Sequence, residues 1–104
     1  MYIIKVLIFG SNGLVGKSTK KILSEVESYD VVTSTRNDTN LFSFEETKKK
    51  IADEKPAIIV NAAARVGGIY ANNTKRTEFI IENLKIKKNI LESIIENENI
   101  KLIN

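Results

Sequence analysis

The sequence predicts an α/β fold in which parallel strands alternate with helices on both faces of one sheet. Short apolar runs alternate along the chain with segments of helical periodicity, the order typical of β-α-β units. The first apolar run passes directly into a loop with three glycines, a further sign of such a unit. The 104 residues, 42% of them hydrophobic, suffice for one domain. We expect residues 1–104 to form a single unit with the order β-α-β-α-β-α-β.

Two strands and two helices are predicted in the first half. Residues 2–9 are a nearly continuous apolar run, as expected for a parallel strand covered on both faces. Residues 14–27 place apolar side chains at helical spacing, which predicts an amphipathic helix with its stripe in the core. That stripe consists of Val15, Thr19, Ile22, Leu23 and Val26. Residues 30–35 form a β-branched strand. The second helix is expected to begin at Ser43, with Glu46 in a capping box, and to end before the chain's single proline.

The second half repeats the pattern. Residues 57–61 are the third strand, a loop of small residues covers 62–73, a long helix covers about 74–96, and a fourth strand covers 100–103. Helices of this length between strands predict right-handed crossovers and a parallel sheet. Ligands of such sheets bind at the carboxyl ends of the strands, where the unusual residues of this chain lie.

Composition excludes several kinds of site and partner. The sequence has no cysteine and no histidine, so a disulfide, a cysteine-ligated metal or a histidine base is impossible within these residues. The net charge of +3 comes from lysines spread over helical segments, which favours solvated helix faces over a nucleic-acid surface. The first apolar run is interrupted by Lys5 and is too short for a membrane span or a signal peptide. We expect a cytoplasmic protein with neither membrane nor nucleic-acid partners.

The loop after the first strand has the spacing G-x-x-G-x-x-G. We expect Gly10 to allow a sharp turn, Gly13 to let the backbone contact a ligand, and Gly16 to bring the following helix close to the strand. Free N–H groups at the start of that helix favour a bound phosphate. The predicted cofactor-binding residues here are Gly10, Ser11, Asn12, Gly13, Leu14, Val15 and Gly16.

A P-loop is the alternative interpretation of this segment, because Gly16-Lys17-Ser18 matches the end of G-x-x-x-x-G-K-[ST]. The first glycine of that motif falls on Ser11, however. The later apolar strand runs into Asn61, where a P-loop enzyme needs an aspartate for magnesium. The sequence therefore favours a dinucleotide loop.

The residue after the second strand indicates which dinucleotide. An acidic residue about twenty positions beyond the glycine loop usually binds the ribose hydroxyls of NAD, but here that place holds Thr35-Arg36. The planar guanidinium of Arg36 matches a 2′-phosphate, so NADP is predicted, and Asn12 could add a hydrogen bond to the same group. Two alternatives stay open: Arg36 as an ordinary surface arginine, and Asp38 as a ribose ligand for NAD.

The third loop resembles one particular family. Its run Ala-Ala-x-Val-Gly-Gly-Ile-x-Ala-Asn-Asn, over residues 63–73, is similar to that of the GDP-L-fucose synthases, extended short-chain dehydrogenases/reductases. The glycine loop, Thr35-Arg36 and Glu-Asn-Leu at 82–84 agree with it, and the resemblance covers essentially the whole chain. It implies the amino-terminal part of a Rossmann-type NAD(P)-binding domain. The predicted cofactor-binding residues therefore also include Arg36, Asn40, Leu41, Ala62, Ala63, Ala64 and Val66.

The resemblance implies an activity and partners for the complete enzyme. Such an enzyme epimerises GDP-4-keto-6-deoxy-D-mannose and reduces it with NADPH to GDP-L-fucose. The helix over 74–96 is similar to the one that forms the family's dimer interface, which implies a homodimer.

The family's catalytic groups are missing from these residues. Its serine, Tyr-x-x-x-Lys pair, cysteine and histidine would follow Asn104, and the fourth residue after each tyrosine here is Val6, Thr33 or Thr74. We expect this chain alone to bind the cofactor weakly, if at all, and to catalyse nothing. Another nucleotide-sugar epimerase or dehydratase, or a noncatalytic NAD(P) sensor, are the alternatives.

Three asparagines have structural interpretations beside functional ones. Asn72 and Asn73 could contact the cofactor or cap the long helix, since asparagine is a favoured N-cap. Asn83 lies on the apolar stripe of that helix, where a buried amide bonded to the backbone is at least as plausible as a catalytic role.

Overall fold

Four parallel strands and three helices form the fold seen in the computed structural model, which describes residues 3–63, 73–97 and 99–104. The strands are β1 (Ile4–Phe9), β2 (Tyr29–Ser34), β3 (Ile58–Asn61) and β4 (Lys101–Ile103). The helices are α1 (Leu14–Ser24), α2 (Phe44–Glu54) and α3 (Asn73–Ile94). The order β2-β1-β3-β4, with every pair parallel, is the Rossmann-type arrangement predicted from the sequence.

The crossovers place helices on both faces of the sheet. From β1 the chain moves one way to β2 through α1, and it then moves the other way through α2 and α3. Because each crossover is right-handed, α1 lies on one face and α2 and α3 lie on the other. The main core fills the second face, and its buried residues are Leu7, Phe9, Leu41, Ile51, Ile59, Ile86, Ile90 and Ile94.

The prediction that the apolar stripe of α1 is buried is wrong. Val15 is 65% exposed, Ile22 64% and Val26 40%, while Thr19 and Leu23 are half-buried. Within the described part of the chain, α1 has only the sheet beneath it, because the other two helices pack on the opposite face. Helical periodicity shows that a helix has an apolar side, but it does not show what covers that side.

Most predicted boundaries shift by one to three residues, and backbone hydrogen bonds explain the largest shift. α1 ends at Ser24, not residue 27, because Glu25 N–H donates to Ile22 O and Val26 N–H to Leu23 O. These hydrogen bonds join residues three positions apart, as in a 3₁₀ turn, so they tighten the last turn and end the helix.

The second helix begins where it was predicted, with a modified cap. Ser43 is the N-cap and its Oγ accepts a bond from Glu46 N–H at 3.2 Å. The Glu46 carboxylate does not return to the Ser43 N–H as in a reciprocal capping box. It accepts from Asn40 N–H at 3.4 Å, while Ser43 N–H donates to Asn40 O. The cap therefore stabilises the end of the loop that follows β2.

Among the described residues, no helix combines the length and apolar character needed to cross a bilayer. The cytoplasmic location stays a prediction from the sequence.

Candidate functional site

Backbone hydrogen bonds connect the glycine loop after β1 to the end of β2. Gly10 N–H donates to Ser34 O at 2.9 Å, Ser11 N–H donates to the same oxygen at 3.3 Å, and Gly13 N–H donates to Gly10 O at 3.2 Å. The loop is therefore held at the carboxyl edge of the sheet, where parallel α/β folds bind ligands.

The three glycines of this loop differ in the space that each would leave for a Cβ atom. Gly10 has φ +77°, and a Cβ there would lie 2.6 Å from the backbone nitrogen of Ala63. A Cβ on Gly16 would lie 2.1 Å from Gly10 O, whereas a Cβ on Gly13 would meet, among the described residues, only that same oxygen, at 3.5 Å. Gly10 and Gly16 are thus required for the turn and for close helix packing, as predicted. Gly13 leaves the outer side of the loop open to a ligand.

The start of α1 presents unpaired backbone donors. Gly13 is the N-cap in an extended conformation with no side-chain capping bond, and the first turn carries no acidic residue. The first helical bond runs from Lys17 N–H to Gly13 O, at 2.9 Å. The N–H groups of residues 14–16 precede this bond and have no helical acceptor. With the positive end of the helix dipole, they suit an anion.

The loop after β3 closes against the glycine loop. Ala62 N–H donates to Phe9 O at 3.0 Å, and Asn61 Oδ1 accepts from Ala63 N–H at 3.1 Å. Small side chains at Ala62 and Ala63 let the two backbones approach. The rest of this loop, with the predicted site residues Ala64 and Val66, lies outside the described residues, as does Asn72, while Asn73 begins α3.

A cavity of about 260 Å³ opens between these loops and the one that follows β2. This is slightly below the roughly 300–1,000 Å³ of small-molecule pockets, so we expect it to hold part of a dinucleotide. Eight residues predicted for the cofactor site line it: Gly10, Asn12, Gly13, Arg36, Asn40, Leu41, Ala62 and Ala63. The other lining residues are Phe9, Ser34, Thr35, Thr39, Phe42 and Ile86.

Four predicted site residues of the glycine loop do not line the cavity. Ser11 and Gly16 are buried beneath the loop, while Leu14 is 85% exposed and Val15 65% exposed. The turn at Gly10 and the direction of α1 put these side chains elsewhere. Only the backbone N–H groups of residues 14–16 remain as candidates for contact with a ligand, because Ser11 N–H already donates to Ser34 O.

Arg36 and Asp38 differ in their availability. Arg36 is exposed at the cavity, and it has no ion-pair partner among residues 3–63, 73–97 and 99–104. The Asp38 carboxylate accepts from Thr35 N–H at 2.9 Å and from Thr35 Oγ1 at 3.1 Å. These two bonds hold the pKa of Asp38 below its ordinary value, the backbone bond contributing most. Both bonds end on Oδ2, and Asp38 is not among the residues that line the cavity, which weakens its interpretation as a ribose ligand.

Sequence reasoning missed two polar contacts of the cavity wall. The Ser34 and Thr39 hydroxyls, both buried, lie 2.8 Å apart. Asn89, also buried, donates from Nδ2 to Leu41 O at 2.8 Å. A signal existed for Asn89, since it lies beside Ile90 on the apolar side of a helix, where a polar residue needs a partner.

The described residues contain no cluster of three or more acidic side chains placed to hold a metal ion. The polar groups that line the cavity are backbone donors, amides, three hydroxyls and one guanidinium, which suit the binding and orientation of a phosphate. The arrangement is that of a nucleotide-binding edge.

Residues 6–104 match the NAD dependent epimerase/dehydratase family. The chain belongs to this family. The match covers the strands, the helices and the glycine loop, so the fold and the family agree.

Several proteins similar to this chain have names that refer to GDP-sugars. The chain is 35% identical to GDP-L-fucose synthase 1 of Arabidopsis thaliana and 34% identical to GDP-L-fucose synthase of Escherichia coli K12, each over 99 residues. Both alignments cover 95% of this chain and 31% of the relative. The solved GDP-mannoheptose C4 reductase of Campylobacter jejuni, with NADP bound, is 30% identical with a TM-score of 0.83, over 96% of this chain and 32% of that one. This chain spans about a third of the length of these relatives.

Proposed function

We propose that this chain is the NADP-binding, amino-terminal portion of a nucleotide-sugar oxidoreductase of the epimerase/dehydratase family. The observation that carries the proposal is one cavity lined both by Gly13 and by Arg36, which has no ion-pair partner in the part of the chain that the structure describes. The loop at Gly13 suits the pyrophosphate of the cofactor, and Arg36 suits a 2′-phosphate. Residues 1–104 are then the first part of one domain, and the catalytic and substrate-binding parts lie outside it.

NADP is favoured over NAD by the loop after β2. Arg36 lines the cavity, whereas Asp38 does not, and its Oδ2 is bonded to Thr35. The glycine loop suits a dinucleotide, because Gly10 and Gly16 leave no room for a Cβ and so fix the turn and the close approach of α1, while Gly13 leaves space beside the cavity. When bound, NADPH supplies the hydride for a reduction. The residues of this chain bind and orient it.

GDP-4-keto-6-deoxy-D-mannose is the proposed substrate of the complete enzyme, with GDP-L-fucose as product. The support is the set of relatives named GDP-L-fucose synthase at about 35% identity. The rival is reduction of another GDP-sugar, because GDP-L-colitose synthase of Yersinia pseudotuberculosis is 32% identical. The substrate is tested in a polypeptide that carries this sequence with the rest of the family's length. Incubation with NADPH and the GDP-keto sugar should yield GDP-L-fucose, and consumption of only a different GDP-sugar would favour the rival.

The chain by itself should bind the adenosine half of the cofactor without catalysing a reaction. We expect 2′,5′-ADP, which has both adenosine phosphates, to bind with a dissociation constant on the order of 1 mM. Titration of the ¹⁵N-labelled chain should shift the amide signals of Gly10, Asn12, Gly13 and Arg36. The absorbance of NADPH should stay constant when it is incubated with this chain and the GDP-keto sugar. Absence of any shift at the glycine loop, both in this chain and in a polypeptide of the family's full length, would contradict the proposed function.

We also propose that α3 mediates a homodimer. Its exposed side carries four large apolar residues at helical spacing: Ile80, Ile81, Leu84 and Leu91. A second copy would cover them. Light scattering should give twice the chain mass of 11.7 kDa, and Leu84→Glu should return it to the monomer. Ile22→Glu is the matched control, because Ile22 is 64% exposed on α1, away from this face. A monomeric wild type, or an equal effect of both variants, would contradict the dimer.

A further inference from the structure

A buried side chain of α3 holds the loop that forms one wall of the cavity. Asn89 is 7% exposed, and its Nδ2 donates to the backbone oxygen of Leu41 at 2.8 Å. The two residues are 48 positions apart in sequence. A buried carbonyl without a partner is costly, so this bond fixes where the Leu41 backbone can lie relative to α3.

Leu41 connects this bond to the candidate cofactor site. Its side chain is 8% exposed, belongs to the main core and lines the cavity with Arg36 and Asn40. Ile86, one turn before Asn89 on α3, lines the same cavity, whereas Asn89 does not. The helix thus contributes one residue to the wall and one residue that holds the wall.

The loop between β2 and α2 is also held by contacts at its two ends. The buried Ser34–Thr39 hydroxyl contact, 2.8 Å long, fixes the start, and the Ser43 cap of α2 fixes the end. Between them Phe42 N–H donates to Asn40 Oδ1 at 3.0 Å, a bond internal to the loop. From outside the loop, the Glu46 carboxylate of α2 accepts from Asn40 N–H at 3.4 Å, and Asn89 of α3 holds the next residue, Leu41, through its carbonyl.

We propose that Asn89 is a positioning residue for the cofactor pocket: by holding the Leu41 carbonyl it sets the wall against which the adenosine end of NADP packs. This inference rests on the proposed function. Without the amide donor, the Leu41 carbonyl has to turn toward water, and the Leu41 side chain moves away from the cavity. Asn89 acts through Leu41, not by touching the ligand.

The experiment compares the wild-type chain with Asn89→Leu, which keeps the branched shape and the number of side-chain heavy atoms but removes the donor. We expect the dissociation constant for 2′,5′-ADP to rise roughly fivefold or more, the effect of losing one buried hydrogen bond. Amide hydrogen exchange of Leu41, Phe42 and Ser43 should accelerate. If Asn89→Leu does not fold, Asn89→Ser carries the same comparison, since its side chain is too short to reach Leu41.

Ile94→Val is the matched control for general loss of stability. Ile94 lies on the same helix and in the same core, 8% exposed, but it does not line the cavity. The affinity of the Ile94→Val variant for 2′,5′-ADP should stay within about twofold of the wild type, although the substitution lowers the free energy of unfolding by about 1 kcal/mol. An equal affinity loss in both variants, or unchanged affinity and loop exchange in Asn89→Leu, would overturn the inference. A wild type that binds neither as this chain nor at the family's full length would instead contradict the proposed function, and loop exchange in Asn89→Leu would still decide whether Asn89 holds the wall.

Discussion

Replacing Gly16 with alanine should destabilise the fold by about 2 kcal/mol or more, in the range of overpacked sites. The new Cβ would lie 2.1 Å from Gly10 O and 2.8 Å from Ser11 Cα, both backbone atoms that cannot rotate away. Alanine is a better helix former than glycine by about 1 kcal/mol, so the clash has to outweigh that gain. The free energy of unfolding, from urea denaturation of both proteins, measures the difference.

Gly13→Ser is the matched control in the same loop. A Cβ there meets only Gly10 O, at 3.5 Å, and serine is a favoured N-cap, so stability should stay within about 0.5 kcal/mol of the wild type or rise. The serine hydroxyl would, however, occupy the helix N–H groups proposed to bind phosphate. Affinity for 2′,5′-ADP should therefore fall roughly tenfold, the loss of about 1.4 kcal/mol. The proposed division between a packing and a binding glycine fails if Gly16→Ala is as stable as the wild type or if Gly13→Ser binds equally well.

Replacing Arg36 with alanine should remove the preference for a 2′-phosphate. Hydrogen bonds to charged groups contribute about 1.5–3 kcal/mol, so affinity for 2′,5′-ADP should fall at least about tenfold. Affinity for 5′-ADP, which lacks the 2′-phosphate, should change little. Isothermal titration or amide shifts with both ligands give the ratio. In the complete enzyme, the ratio of the affinities for NADPH and NADH tests the same preference.

Arg36→Lys is the control for charge alone. Lysine keeps the positive charge but lacks the planar fork that pairs with two phosphate oxygens, so an intermediate affinity for 2′,5′-ADP is expected. An unchanged ratio of the two ligands in Arg36→Ala would identify Arg36 as an ordinary surface arginine. The proposal for NADP would then be wrong.

The fold was predictable because its signals are local. An apolar run of strand length, three glycines and a capped helix each constrain a short segment, and right-handed crossovers leave few ways to join the segments. Boundaries were less predictable, as the early end of α1 at Ser24 shows. That end is set by two three-residue bonds after Ile22 and Leu23, whose formation no sequence periodicity reports.

The candidate site was predictable where the strand order alone brings residues together. The glycine loop, Arg36 and the alanines after β3 follow three neighbouring strands, so their meeting at one edge follows from a parallel sheet. Ser11, Leu14 and Val15 were included by their place in the motif, and the structure puts their side chains off the cavity wall. A motif gives the path of the backbone better than the direction of each side chain.

By itself the sequence determined the α/β class, and it predicts a phosphate-binding loop and an arginine that favours NADP. These depend on residue type and spacing along a short stretch. Tertiary structure alone decided that Asp38 is bonded to Thr35, that Asn89 holds Leu41 and that the apolar side of α1 is exposed. Each of these depends on which distant or competing group comes within hydrogen-bonding or packing distance, and that is fixed only when the chain folds.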